Sequence, residues 1–203
     1  MYIFNKHELS ILKKLDTPKK IQNFLDTLKI NFEPNGDTCK SPRVVLMEKQ
    51  AHCIEGAMLA AVTLRMHGYK PLLVDLTATE KDYDHVIAVF KQNDFWGAIS
   101  KTNHVVLRYR EPIYKTIREL VMSYFHEYFD DKGRKTLRSY SNPVSLSKFD
   151  KINWTTSEQD VWEIPNYLLE VPHKRILTKS QISSLRKADP LEIEAGKLVE
   201  WKR

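Results

Sequence analysis

The chain has 203 residues, 42% of them hydrophobic, and its 32 Lys and Arg against 26 Asp and Glu give a formal net charge of +6. That length and apolar content describe a packed core rather than a disordered tail, and no apolar run approaches the roughly 18 residues that a membrane span requires. Two cysteines cannot make a disulfide framework, so both thiols are expected to be reduced in a cytoplasmic protein.

The N-terminal "MYIFNKHELSILKKL" mixes charges into its apolar residues and lacks an apolar signal core, so no signal peptide is expected. Leu9, Leu12 and Leu15 recur there at helical spacing. A second helix follows, with Thr17 as cap, Pro18 in the first position and Ile21, Phe24, Leu25 and Leu28 as its stripe. "EPNGD" breaks the chain, and Ser41–Pro42 repeats the start signal for a short helix leading towards Ala51. "CIEGAMLAAVTLRMH" predicts a small-residue helix over Cys53–His67, stopped by Gly68.

Three strand candidates come next. "PLLVDLTA" and "HVIAVFKQ" are rich in β-formers, and "QND" marks a tight turn into "FWGAISK", so the last two predict an antiparallel hairpin. Pro112 then opens a helix with Ile113, Ile117, Leu120, Val121, Tyr124, Phe125 and Tyr128 on one apolar face, ended by the glycine of "DDKGRK". "TLRSYSNPVSL" predicts a strand and "WEIPNYLLEVPH" a proline-broken extended segment. "TKSQISSLRKADPLEIEAGKLVEW" predicts terminal helices. The expected fold class is α+β, a single domain over 1–203: a helical part over 1–40, a core over 41–135 and an extension over 136–203.

Positive charge is spread along the chain, which describes a solvated surface. "RYREPIYKTIREL" and "KGRKTLRSY" interleave aromatics with Arg and Lys, but no RNP, zinc-finger or helix-turn-helix signature accompanies them, so nucleic acid is not the expected partner. Six glycines form no GxGxxG or P-loop pattern, and no CxxC or HExxH pair is present. Neither a cofactor nor a metal is expected. The sequence carries no signal of oligomeric state.

The chemistry-bearing order is a helix headed by Cys53, a strand, a strand opening on His85, and a hairpin partner carrying polar residues. A helix N-terminus favours the thiolate through its dipole and free N–H groups, and a neighbouring imidazole can take the thiol proton. That is the arrangement of a Cys-His acyl-transfer enzyme. "AHCIEGAMLAAVTLRMHGYKPLLVDL", "DHVIAVF" and "FWGAIS", spanning roughly residues 50 to 103, resemble the transglutaminase-like branch of the papain-like cysteine-enzyme superfamily. The whole chain, including "TPKKIQNFLDTL" and "LVMSYFHEYF", is similar to a bacterial group within it to which the resemblance attaches no substrate.

The resemblance implies a Cys-headed helix packed on an antiparallel sheet, a nucleophile at Cys53, a base at His85, and a peptide or protein amide as substrate. It also implies an aspartate four residues after the hairpin tryptophan, where this chain has Ser100. Asn103 is the expected substitute for orienting the imidazole, with Ser100 second. Asp84 is discounted because strand alternation turns it to the other face. Gln50 is a weak oxyanion candidate, His52 a substrate contact and Cys39 a spectator. The competing expectation is a non-catalytic binding module that kept the fold without the chemistry, and a basic nucleic-acid binder ranks third.

Overall fold

A computed structural model describes residues 4–202; Met1–Ile3 and Arg203, the ends of the 1–203 single-domain reading, lie outside the described residues. The chain runs α1 (Lys6–Lys14), α2 (Pro18–Asp26), β1 (Lys29–Ile30), α3 (Pro42–Glu48), β2 (Gln50–Ala51) and α4 (Cys53–Met66). Strands β3 (Leu72–Thr77), β4 (His85–Gln92), β5 (Phe95–Ile99) and β6 (Arg110–Tyr114) follow, then α5 (Ile117–Phe125). The remainder holds β7 (Ser139–Ser141), β8 (Val144–Ser145), a 3-10 turn (Leu146–Ile152), α6 (Glu163–Glu170), β9 (His173–Arg175), α7 (Lys179–Ser183) and α8 (Pro190–Gly196).

The class is α+β. An antiparallel sheet has the order β6-β5-β4-β3-β7-β9, with β8 also paired to β3, while β1 and β2 form a separate parallel pair. The β4–β5 hairpin turns through Asn93 and Asp94, both with positive φ (50° and 67°), as a two-residue turn matched to strand twist requires.

Local signals explain the helix starts. Thr17 and Ser41 accept from the backbone of Lys20 and Val44, each with proline just inside its helix. At the end of α4, Gly68 adopts a φ of 87°, in the left-handed region that favours glycine.

Every residue of α4 from Ile54 to Leu64 is buried. A helix apolar on all sides must be surrounded. One core cluster joins α4 to Leu12, Ile21, Leu25, Val45 and Leu46 of the first three helices and to Leu73, Val86, Ala88 and Phe90 on one face of the sheet. The opposite face carries Val74, Leu76, Ile87 and Val89 against Leu120, Val121 and Tyr124 of α5.

Two sequence expectations are corrected. The helix expected from Pro112 begins only at Ile117, where Thr116 caps it by accepting from Glu119 N (3.1 Å). Arg110–Tyr114 is instead the edge strand β6, and Ile113 is 67% exposed rather than part of an apolar face. A proline is tolerated at a sheet edge because its missing N–H removes no internal ladder bond. The segment expected to be extended across Pro165 is helix α6, since a proline in the first turn takes a place where no intrahelical N–H bond is made. Among the described residues no helix is long and apolar enough to cross a membrane.

Candidate active site

Cys53 is the first residue of α4, and its side chain is half-buried. His85 opens β4, where it pairs in register with Leu76, and is buried. The fold brings both to the same end of the helix–sheet layer, the head of α4 beside the start of β4. Burial alone would push the Cys53 thiol up; the imidazoles of His52 and His85 outweigh it and hold the thiol down to about 5.

The partner of His85 determines its tautomer. Ser100 Oγ donates to the carbonyl of Leu107 at 2.5 Å, and a carbonyl can only accept. The same oxygen lies 2.8 Å from His85 Nε2 and must therefore accept from an Nε2–H. The neutral ring then carries its lone pair on Nδ1, the nitrogen needed to take a proton from a thiol. Gln22 fixes the Ser100 backbone from both sides: Ser100 N donates to Gln22 Oε1 and Gln22 Nε2 donates to Ser100 O, both at 2.9 Å.

Asn103, expected to orient the imidazole, does not do so. Its Nδ2 donates to Trp201 O and its Oδ1 accepts from Trp201 N, each at 2.9 Å, so the whole amide is committed to the C-terminal segment. Asn103 O accepts from Glu200 N (2.9 Å), and Val105 N donates to Leu198 O (3.2 Å), so residues 198–201 lie against 103–105 like an added strand. The physical reason for the correction is reach. Ser100 immediately follows β5 and stays beside His85, whereas the chain has turned towards the C-terminal segment by Asn103.

The Leu107 carbonyl is itself held. Leu107 has a φ of 60°, unfavourable for a leucine, and its N–H donates to Glu127 Oε2 (3.0 Å). Arg110 Nη2 lies 2.7 Å from the same carboxylate oxygen. An ion pair thus clamps the N–H of the residue whose carbonyl receives the Ser100 hydroxyl.

His52, the N-cap of α4, faces oxygen. Its Nε2 is 3.0 Å from Thr38 O, 3.4 Å from Glu55 Oε1 and 3.5 Å from Glu33 Oε1. Burial disfavours a charge on this ring, but the hydrogen bond and charge of Cys53, with Glu55 behind them, raise it to about 9. Glu55 is fully buried and accepts from Asn31 Nδ2 (3.1 Å), Thr38 Oγ1 (2.9 Å), Lys40 N (2.9 Å) and His52 N (3.0 Å). Four donors make that burial tolerable and tie the 31–40 loop to the head of the cysteine helix. The spacing His52-x-x-Glu55 is the signal that could have revealed this group, since a glutamate three residues after a cap returns to the cap N–H.

The remaining candidates lie elsewhere. Gln50 Nε2 donates to Glu48 Oε2 (2.9 Å), an exposed contact. Asp84 is exposed and accepts from Ala78 N (2.7 Å) across the β3–β4 connection. Cys39 is fully buried, and burial pushes its thiol up. A cavity of about 420 Å³ opens on His85 and is also lined by Tyr83, Asp84, Leu107, Glu127 and Tyr128. Among the described residues no group of three or more His, Cys, Asp or Glu is placed to hold a metal ion. Compared with known proteins, the chain matches no family model and no curated sequence.

Proposed function

We propose that this chain is a thiol-dependent acyl-transfer enzyme acting on an amide of a peptide or protein, built on a papain-like, transglutaminase-like core. The observation that carries the reading is the Cys53 thiol at the first position of a buried helix, held down to about 5, beside an imidazole whose tautomer Ser100 fixes. A thiolate at neutral pH is a ready nucleophile, and a base with a lone pair on the correct nitrogen completes the pair.

In the first half of the reaction Cys53 Sγ bonds to the amide carbonyl carbon. The oxyanion sits towards the N–H groups of the first turn of α4, the C–N bond breaks, and the amine leaves with a proton from an imidazolium. In the second half His85 takes a proton from the acceptor, the acyl group is transferred and the thiolate is released. Water as acceptor gives hydrolysis and an amine gives transamidation; the first half is common to both. The cavity beside His85 offers the acceptor or the substrate chain a place to lie. A reactive thiolate suits a reducing compartment, and we place the protein in the cytoplasm.

Ser100 supplies the orienting contact that the expected aspartate would have made, which favours catalysis over a non-catalytic module. Incubating the protein with a panel of activated acyl esters and peptide amides, followed by intact-mass measurement, should trap an acyl adduct on Cys53. The adduct should be absent in Cys53→Ser at neutral pH and should decay faster when an amine is added. Absence of any adduct on the wild-type protein across the panel would count against the reading.

A further inference from the structure

The stretch "KGRKTLRSY" carries cations that the candidate active site does not use. Two hollows lie on either side of its Arg138. The inner one, about 500 Å³, is also lined by Lys81, Arg134 and Lys135, with Glu80 as its one carboxylate among the described residues. The outer one, about 490 Å³, adds Arg175 and Lys179 and no acidic residue among those described. Lys81 lines the cavity that opens on His85 as well, so adjoining hollows share Lys81 and Arg138 and form one groove leading away from the candidate active site.

Part of this charge is already committed. Arg134 Nε donates to Asp130 Oδ2 (2.6 Å), and the buried Lys135 donates through Nζ to His126 O (2.5 Å). Arg138 is different. It is half-buried, and its Nη1 donates to the carbonyls of Lys135 and Leu137 at 3.0 and 2.9 Å. Those two bonds hold the guanidinium between the hollows without neutralising it. Among the described residues no carboxylate is ion-paired with Lys81, Arg138, Arg175 or Lys179. A cation that has lost water and gained no anion is an anchor for one.

We propose that the groove from Lys81 through Arg138 to Lys179 docks an acidic stretch of polypeptide. The walls select that chemistry. Four uncommitted cations, one of them a held guanidinium whose fork matches a carboxylate, favour a chain bearing several carboxylates. Neither hollow has a Phe, Tyr or Trp among its described lining residues, so the stacking platform that single-stranded nucleic acid uses is missing. Leu177 and Ile182 give the outer hollow an apolar wall instead. β9, which carries Arg175, is the last strand of the sheet, and such an edge offers main-chain groups to an extended chain. Docking itself does not involve Cys53. Its place in catalysis rests on the reading of Cys53 as a nucleophile: a chain held in the groove and continuing past Lys81 reaches the cavity beside His85, so the acidic stretch lies on the substrate, apart from the amide attacked.

The test is fluorescence anisotropy with three labelled probes of equal length: a Glu/Gly/Ser peptide, a Gln/Gly/Ser peptide and a single-stranded RNA. Wild type should bind the glutamate peptide in preference to the other two, with affinity falling as salt rises. Arg138→Gln should weaken that binding roughly tenfold, and Arg175→Gln, at an exposed position, a few-fold. Lys13→Gln removes the same charge from an exposed site on α1 outside the groove and should leave binding unchanged. Arg138 also braces two carbonyls, so Arg175→Gln reads the groove if Arg138→Gln fails to fold. Cys53→Ala should bind the glutamate peptide as wild type does, which keeps this test separate from acyl-adduct formation on the thiol. No difference between the two peptides, equal weakening in Lys13→Gln, or RNA bound as tightly as the glutamate peptide would overturn the proposal.

Discussion

Leu107 is a leucine with a φ of 60°, a conformation costing on the order of 1–2 kcal/mol, and it is held by Glu127 on its N–H and Ser100 on its carbonyl. Such strain persists only where neighbours over-determine it, and here they aim the Ser100 hydroxyl. Ser100→Ala should remove the contact that fixes the His85 tautomer and lower turnover roughly ten- to a hundredfold, with Glu127→Ala acting in the same direction through Leu107. Asn103→Ala should do something different. It loses two bonds to the Trp201 backbone, about 1–3 kcal/mol of stability, while Cys53 alkylation stays unchanged. A loss of alkylation in Asn103→Ala without a loss of stability would contradict this assignment. Cys53 and His85 could be singled out as candidates in the sequence because thiol and imidazole side chains have signatures of their own. Ser100 was legible only as the second choice behind Asn103, because half of its setting is a backbone carbonyl presented by a loop leucine, for which no residue type stands as a marker.

At the scale of elements, α4 decides where the thiol sits, and its packing is close. A Cβ on Gly56 would lie 2.5 Å from Lys101 Cβ, and Lys101 is buried with Nζ donating to Leu28 O (2.6 Å). Gly56→Ala should therefore destabilise the protein by about 1–3 kcal/mol, despite alanine's better helix propensity of about 1 kcal/mol. A thermal melt reads this directly, and a higher melting temperature would show that Lys101 yields at little cost. The first four helices and the central strands were legible because caps, prolines and periodicity agreed with one another. The start of α5 was not, because Ile113 and Ile117 happen to share helical spacing while Arg110–Tyr114 pairs with β5. Thr116 was the better guide, since a threonine three residues before Glu119 is a cap signal. Pro165 misled in the same way: a proline ends a helix in its interior but not in its first turn.

Across the whole molecule, the C-terminal part is tied to the sheet through His173 of β9, whose Nε2 lies 2.9 Å from Asp75 Oδ2 on β3. Burial raises the Asp75 carboxyl from 3.8 to about 6, with His173 opposing that rise. A carboxyl raised on folding favours the fold fully below its unfolded value, and that contribution is lost as pH climbs through about 6. His173→Ala, which leaves a buried carboxylate without its partner, should therefore cost more stability at about pH 7.5 than at about pH 5, read by denaturant midpoint. A deficit independent of pH would show that the pair contributes packing alone. Cys53 is expected to rest as a thiolate at neutral pH. The most direct test is the ultraviolet absorbance of the thiolate, wild type minus Cys53→Ala, followed from about pH 3 to about pH 10. The expected midpoint is near 5, with the signal already complete at neutral pH. A midpoint near 9, the ordinary value for a cysteine, would contradict it.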